Sequence, residues 1–168
     1  MSFQDFERSI VSDALRQVAL HWNEARGSNA LAAWSAIKPA AIAAQLSLVW
    51  SYNYDRASDS FTGRLCGNSI ADAFGRNIKG VPMRELYPAD DFQHLFARSK
   101  RVVCEPAFYR GEGMVFTHLE KFGHGERIMM PMASDGTTGD GVFGATQYQS
   151  VWGKPSDRHA EEESWFSL

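Results

Sequence analysis

FTGRLCGNSIADAFGRNIKGVPMRELYPADD, residues 61–91, decides the architecture of this chain. A β-like run ends in Gly67-Asn68, and a short helical segment follows and stops at Phe74-Gly75. Gly80 opens a further turn, and Tyr87-Pro88-Ala89-Asp90-Asp91 starts a new helix. Glycines that permit left-handed turns and a proline followed by acids at a helix start give this punctuation its physical meaning. The stretch alternates strand, tight turn, short helix, hinge and capped helix, and it carries no catalytic signature.

Working outward, the segment before it reads as a hairpin. Leu46, Leu48, Trp50, Tyr52 and Tyr54 alternate with Ser47, Val49, Ser51 and Asn53, the period of a strand. Asp55-Arg56-Ala57-Ser58-Asp59 is turn chemistry, and residues 61–66 return as the paired strand, so 46–66 is a predicted hairpin. After the stretch, Phe92, Leu95, Phe96, Ser99, Val102 and Val103 form the apolar face of a predicted helix over 90–103, which Pro106 bounds. Three further strands are predicted at 106–117, 118–132 and 139–151, with a bulge or a short break at Gly123-His124-Gly125.

Residues 3–26 read as one long amphipathic helix, with Val11, Leu15, Val18 and Trp22 in its stripe and Gly27 as its stop. At ~1.5 Å per residue it would span about 36 Å. An overhanging stripe would make a homodimer interface, and the alternative is a helix lying flat on a sheet face. The chain divides into an N-terminal helix (1–28), a domain (29–152) and a polar tail (153–168). The expected fold class is α+β: a five-stranded antiparallel sheet with short helices on one face and a long N-terminal helix.

Composition narrows the function classes. A chain of 168 residues with 44% hydrophobic and 12% aromatic content builds one core. A net charge of -3 without a dense basic patch argues against a nucleic-acid partner. No apolar run approaches ~18 residues, which argues against a membrane span, and the acidic start is wrong for a signal peptide. Cys66 and Cys104 lack CxxC spacing and read as free thiols, which fits the cytoplasm.

Catalytic and cofactor signatures are missing. There is no GxSxG elbow, and Gly111-Glu112-Gly113 and Gly139-Asp140-Gly141 sit in hairpin contexts unsuited to cradling phosphate. His118 and Glu120, with His124 and Glu126, could face one another as metal ligands, but polar alternation on a solvated sheet face explains them as well. His94 falls on the polar side of its helix, with Arg98 and Arg101, and reads as a surface residue rather than a haem ligand. A flavin-type cysteine motif is missing, because Cys66 precedes Asn68. The cofactor is unknown from sequence.

Trp50, Tyr52, Phe96, Phe108 and Met130 are the candidate lining of a small-molecule pocket between sheet and helix, although the same side chains would serve a filled core. Arg64, a charge at a strand position, and Asn68 are candidate polar groups at its mouth. An inward Arg64 would need an anionic partner.

These residues carry a resemblance. The 61–91 stretch resembles a PAS domain in Gly67-Asn68, Phe74-Gly75, the Gly80-to-Leu86 segment and Pro88-Ala89-Asp90-Asp91. The chain up to about residue 151 is similar to a family of short, stand-alone bacterial PAS-like proteins. The matching features are Trp22 with Arg26-Gly27, Pro39, Arg64 with Gly67, Phe74-Gly75-Arg76 before Gly80, Met130-Pro131-Met132, and Phe143-Gly144. It departs after Arg26-Gly27, where residues 30–35 replace a Pro-Ser-Arg-like turn. The resemblance implies a PAS-like fold and a sensory or interaction role without enzyme activity, and implies no particular ligand.

The expected function is therefore a non-enzymatic sensory domain that binds a small molecule and signals by contact with a protein partner, because these 168 residues leave no room for a kinase, cyclase or DNA-binding module. The alternatives are a cone-shaped α+β enzyme or ligand carrier, which would need a His–Asp or Tyr–Asp pair in its cavity, and a ligand-free dimeric adaptor.

Overall fold

The structure, a computed structural model, describes residues 2–116, 119, 123–151 and 161–168. Its centre is an antiparallel sheet with β1 (Val49–Asp55), β2 (Ser60–Cys66), β3 (Ala107–Val115), β4 (Gly123–Met132), β5 (Gly141–Ser150) and β6 (Glu162–Ser167). The strand order is β2-β1-β5-β4-β3-β6. The helices are α1 (Phe3–Ser9), α2 (Asp13–Arg26), α3 (Asn68–Phe74) and α4 (Ala89–Cys104), with 3-10 turns at Trp34–Ala36, Pro39–Leu48 and Met83–Glu85. No helix among the described residues is long and apolar enough to cross a membrane.

The expected hairpin forms as β1 and β2, but residues 46–48 belong to the preceding 3-10 segment. Gly67 closes β2 because the chain passes close by: a Cβ there would stand 2.3 Å from the Leu46 carbonyl oxygen. Gly75 ends α3 in the left-handed region at φ 67°. The β3–β4 ladder runs in constant register through Gly125 and Gly123, so the 123–125 signal is neither a bulge nor a break.

Three expectations need correction. First, the N-terminal helix is two helices. Val11 and Ser12 donate their amides to the buried carboxylate of Glu126 on β4, at 3.0 and 2.7 Å. Ser12 caps α2 by accepting from the Leu15 amide at 3.2 Å. The apolar stripe continues through the corner, so periodicity alone hides it. Phe6, Ile10, Leu15, Val18 and Trp22 are buried against the chain's own sheet, whereas Val11, expected in the same stripe, is 71% exposed at the corner between the two helices. Second, the sheet is covered on both faces. The N-terminal helices pack on one face and α3, the Met83–Glu85 turn and α4 on the other, giving two buried clusters. Third, the sheet has six strands among the described residues, because Glu162–Ser167 of the expected polar tail pairs with β3. Phe166 meets Phe6 with centroids 5.7 Å apart, and Trp165 meets Tyr109 at 5.0 Å. Averaging composition over 153–168 conceals this short amphipathic strand.

Two motif residues meet across the first core. The buried Trp22 donates its indole N–H to the Pro131 carbonyl at 2.9 Å, so α2 is tied to β4 by the residues that carried the family resemblance.

Candidate functional site

Between the sheet and the α3–α4 cover lies a cavity of about 20 Å³. That is room for about one water. Trp50 and Tyr52 of β1 stand side by side in its wall, 5.7 Å between ring centroids. Ile70, Phe74, Met83 and Leu95 from the cover, with Phe116 and Met129, supply most of the remaining apolar lining. Its polar groups are Tyr52, Tyr87, Ser99 and Arg127. Among the described residues the lining holds no histidine and no acid.

The Tyr52 and Tyr87 hydroxyls share a hydrogen bond. Burial, then its neighbour Tyr87, push the Tyr52 pKa well above its ordinary value. Burial likewise raises Tyr87. A phenol held neutral in the folded state contributes stability below its unfolded pKa near 10 and loses it as pH rises through that value toward the folded pKa. The melting temperature should therefore fall between about pH 9 and about pH 11, and the fall should be smaller in Tyr52→Phe. An equal fall in both proteins, read by circular dichroism melts, would contradict the buried neutral phenol.

A buried polar network backs the cavity. Trp50 donates its indole N–H to the Thr146 hydroxyl at 2.9 Å, and the same oxygen accepts from Arg127 Nε at 3.3 Å. Arg127 Nη1 also reaches Glu161 Oε2 at 3.3 Å, and Arg98 Nη1 of α4 reaches that oxygen at 3.0 Å. Arg98 Nη2 donates to Glu163 Oε1 at 2.6 Å, and its guanidinium lies 4.5 Å from the centre of the Tyr109 ring. Burial pulls the Arg98 pKa down, and Glu161 and the other anionic neighbours more than offset this, so it stays charged. Burial raises the Glu163 carboxyl, and Arg98 outweighs it and holds that pKa low.

The sequence candidates separate into groups. Trp50 and Tyr52 line the cavity. Phe96 packs beside it on Phe61 and Phe92, 5.7 and 5.4 Å away. Phe108 and Met130 lie on the opposite face, in the core beneath α1 and α2, and do not reach the cavity. Strand alternation puts their side chains on the far side from Tyr109 and Met129. Arg64 is exposed, stacks on Trp34 at 4.3 Å and donates to Asn53 Oδ1 at 3.1 Å. Asn68 is exposed and borders a separate surface groove of about 440 Å³ with Ile42, Leu46 and Leu65.

His118 and Glu120 lie outside the described residues. Glu126, their expected companion, is engaged by Arg110 and the α1–α2 corner, while His124 is exposed. His94 is exposed as expected and stands 3.1 Å from Glu163. Arg98, grouped with it as a surface residue, is 5% exposed instead, because β6 covers it.

Sequence reasoning missed Tyr87, Arg98, Arg127 and Glu161. Arg127 was detectable: it precedes the apolar run Ile128-Met129-Met130 and calls for a partner as Arg64 did. The other three depend on which elements meet in space.

A PAS domain family model matches residues 10–147. No curated protein and no solved structure matches the chain. The matched span runs from the end of α1 to β5 and so includes both faces of the sheet and every described residue of the cavity wall.

Proposed function

Because the chain belongs to the PAS domain family, we propose that it is a non-enzymatic sensory and interaction domain that binds a small ligand between its sheet and the α3–α4 cover and signals by contact with a protein partner. The observation that carries this reading is the aromatic wall of Trp50, Tyr52, Phe74 and Phe116, with Tyr87 and Arg127 among the polar residues that share the lining. Few, well-placed polar groups in an apolar enclosure are what small-molecule recognition requires.

The size of the cavity supports a sensor over a carrier. Space for about one water admits no metabolite unless Phe74, Met83 or Tyr87 moves. Occupancy and a shift of the cover are then the same event, and a ligand that prefers the open cover shifts the population toward it. Trp50 and Tyr52 are the proposed contacts from the sheet, and Phe96 supports the cover behind them. Arg64, Asn68, Phe108 and Met130 have no ligand contact in this proposal. Two free, half-buried thiols are in keeping with a cytoplasmic setting.

Native mass spectrometry of the purified chain, followed by thermal-shift screening against a metabolite panel, tests the reading. A bound mass or a saturable shift that Trp50→Ala abolishes is expected. No bound mass and no shift across the panel would leave a domain that acts through its surface alone.

A further inference from the structure

We infer that Arg98 and Arg127 form a site for the carboxylate of a small organic acid, held closed in this structure by Glu161. The inference deepens the ligand-binding reading above and rests on it. Glu161 immediately precedes β6, and its carboxylate sits between the two guanidiniums. All three side chains are nine-tenths or more buried. Two buried cations cannot be left without anions, so charge requires an occupant here.

Glu161 meets the charge requirement but not the geometry. Its Oε2 takes both contacts, at 3.0 and 3.3 Å, while its Oε1 is buried without a hydrogen-bond partner. Arg98 Nε is likewise buried without one. Guanidinium–carboxylate pairs are strongest when two parallel bonds form. The site thus holds an unused donor and an unused acceptor, and a carboxylate free to rotate, unlike one tethered to the main chain, can fill the donor. Arg98 is further held by Glu163, and the Tyr109 ring lies beneath it. Arg127 is the link to the cavity: its guanidinium bonds Glu161, and its side chain forms part of the lining beside Trp50 and Phe116.

The ligand chemistry follows from that continuity. A carboxylate would take the place of Glu161 on Arg127 and Arg98, and a short aromatic or branched apolar tail would enter among Trp50, Phe74 and Met83. The exchange replaces one monoanion by another, so the buried charge balance survives it. It also frees the residue that leads into β6, which couples binding to the strand covering the β3 edge.

The test uses the full chain and sodium benzoate as probe, with sodium chloride at equal ionic strength and neutral benzyl alcohol as controls. Glu161→Ala empties the site and is expected to melt lower than the natural chain. Benzoate should restore its melting temperature saturably, where chloride and benzyl alcohol do not. The natural chain should need more benzoate, because its own carboxylate competes. Glu161→Ala combined with Arg127→Met should bind benzoate roughly 10-fold or more weakly, the loss of one charge-assisted hydrogen bond. If Glu161→Ala does not fold, Glu161→Gln is titrated instead: its neutral amide still fills the site but competes less well for the two guanidiniums, so it should need less benzoate than the natural chain. A benzoate response no larger than that to chloride, or one unchanged by Arg127→Met, overturns the inference. A benzyl alcohol response as large as the benzoate one also overturns it, yet leaves the cavity as a ligand site; the metabolite panel on the natural chain decides that separately.

Discussion

Phe108→Ala is expected to lower the stability of the domain by about 3–5 kcal/mol. Phe108 is fully buried. It stacks on Phe6 at 4.8 Å, receives the edge of Trp22 at 5.1 Å and lies 5.6 Å from Phe3. Four aromatic rings from three elements meet there, so the truncated site cannot collapse without moving α1 or α2 off the sheet. The loss combines the transfer of a benzyl group with the cavity left behind. Urea denaturation followed by circular dichroism measures it as a lower midpoint at unchanged slope. A loss below about 1 kcal/mol would mean that the N-terminal helices are not part of the folded core. The result also separates the two faces of the sheet, because Phe108 is remote from the cavity wall and its loss acts on stability alone.

Glu126→Ala is expected to cost about 3–5 kcal/mol, as truncating one member of a buried ion pair does. Glu126 sits on β4 at 7% exposure. It accepts from Arg110 Nε and from the Val11 and Ser12 amides. Removing it leaves a partly buried guanidinium with Glu112 as its one anionic partner among the described residues, and takes the acceptor from two amides at the helix corner. Glu126→Gln, which retains an acceptor but loses the charge, should cost less than Glu126→Ala. Denaturation midpoints of the two variants give the magnitudes, and faster amide exchange in residues 10–15 would localise the effect to the corner. Equal midpoints for both variants and the natural chain would show that the corner is held by the helices' own caps.

The contrast between Glu126 as a candidate metal ligand and Glu126 as the acceptor that turns the chain between α1 and α2 marks where sequence reading ends. Strand period made the hairpin and β3–β5 legible, and the apolar face of 92, 95, 96, 99, 102 and 103 made α4 legible. Gly67, Gly75 and Gly80 located the turns, since close approach or a left-handed backbone restricts which residue fits. Alternation puts Phe108 and Tyr109, or Met129 and Met130, on opposite sides. It could not show which side holds the cavity, because helices cover both faces and both sets of positions are equally apolar. β1 is buried over Val49-Trp50-Ser51-Tyr52 for the same reason. The Arg98–Glu161–Arg127 cluster was illegible for a different one: it joins α4, β4 and the start of β6, residues separated by 63 and 34 positions. Only the pairing of β6 with β3 brings them together.

Hydrogen–deuterium exchange of the natural chain tests the central claim most directly, that a closed cavity admits its ligand by local opening of its cover. Amides of residues 68–88 should exchange by local opening, well before those of α2 and of β4 and β5, which should exchange only with global unfolding. Exchange of 68–88 at the same slow rate as α2 would mean that the cover is as rigid as the opposite core, and would contradict a ligand site behind it.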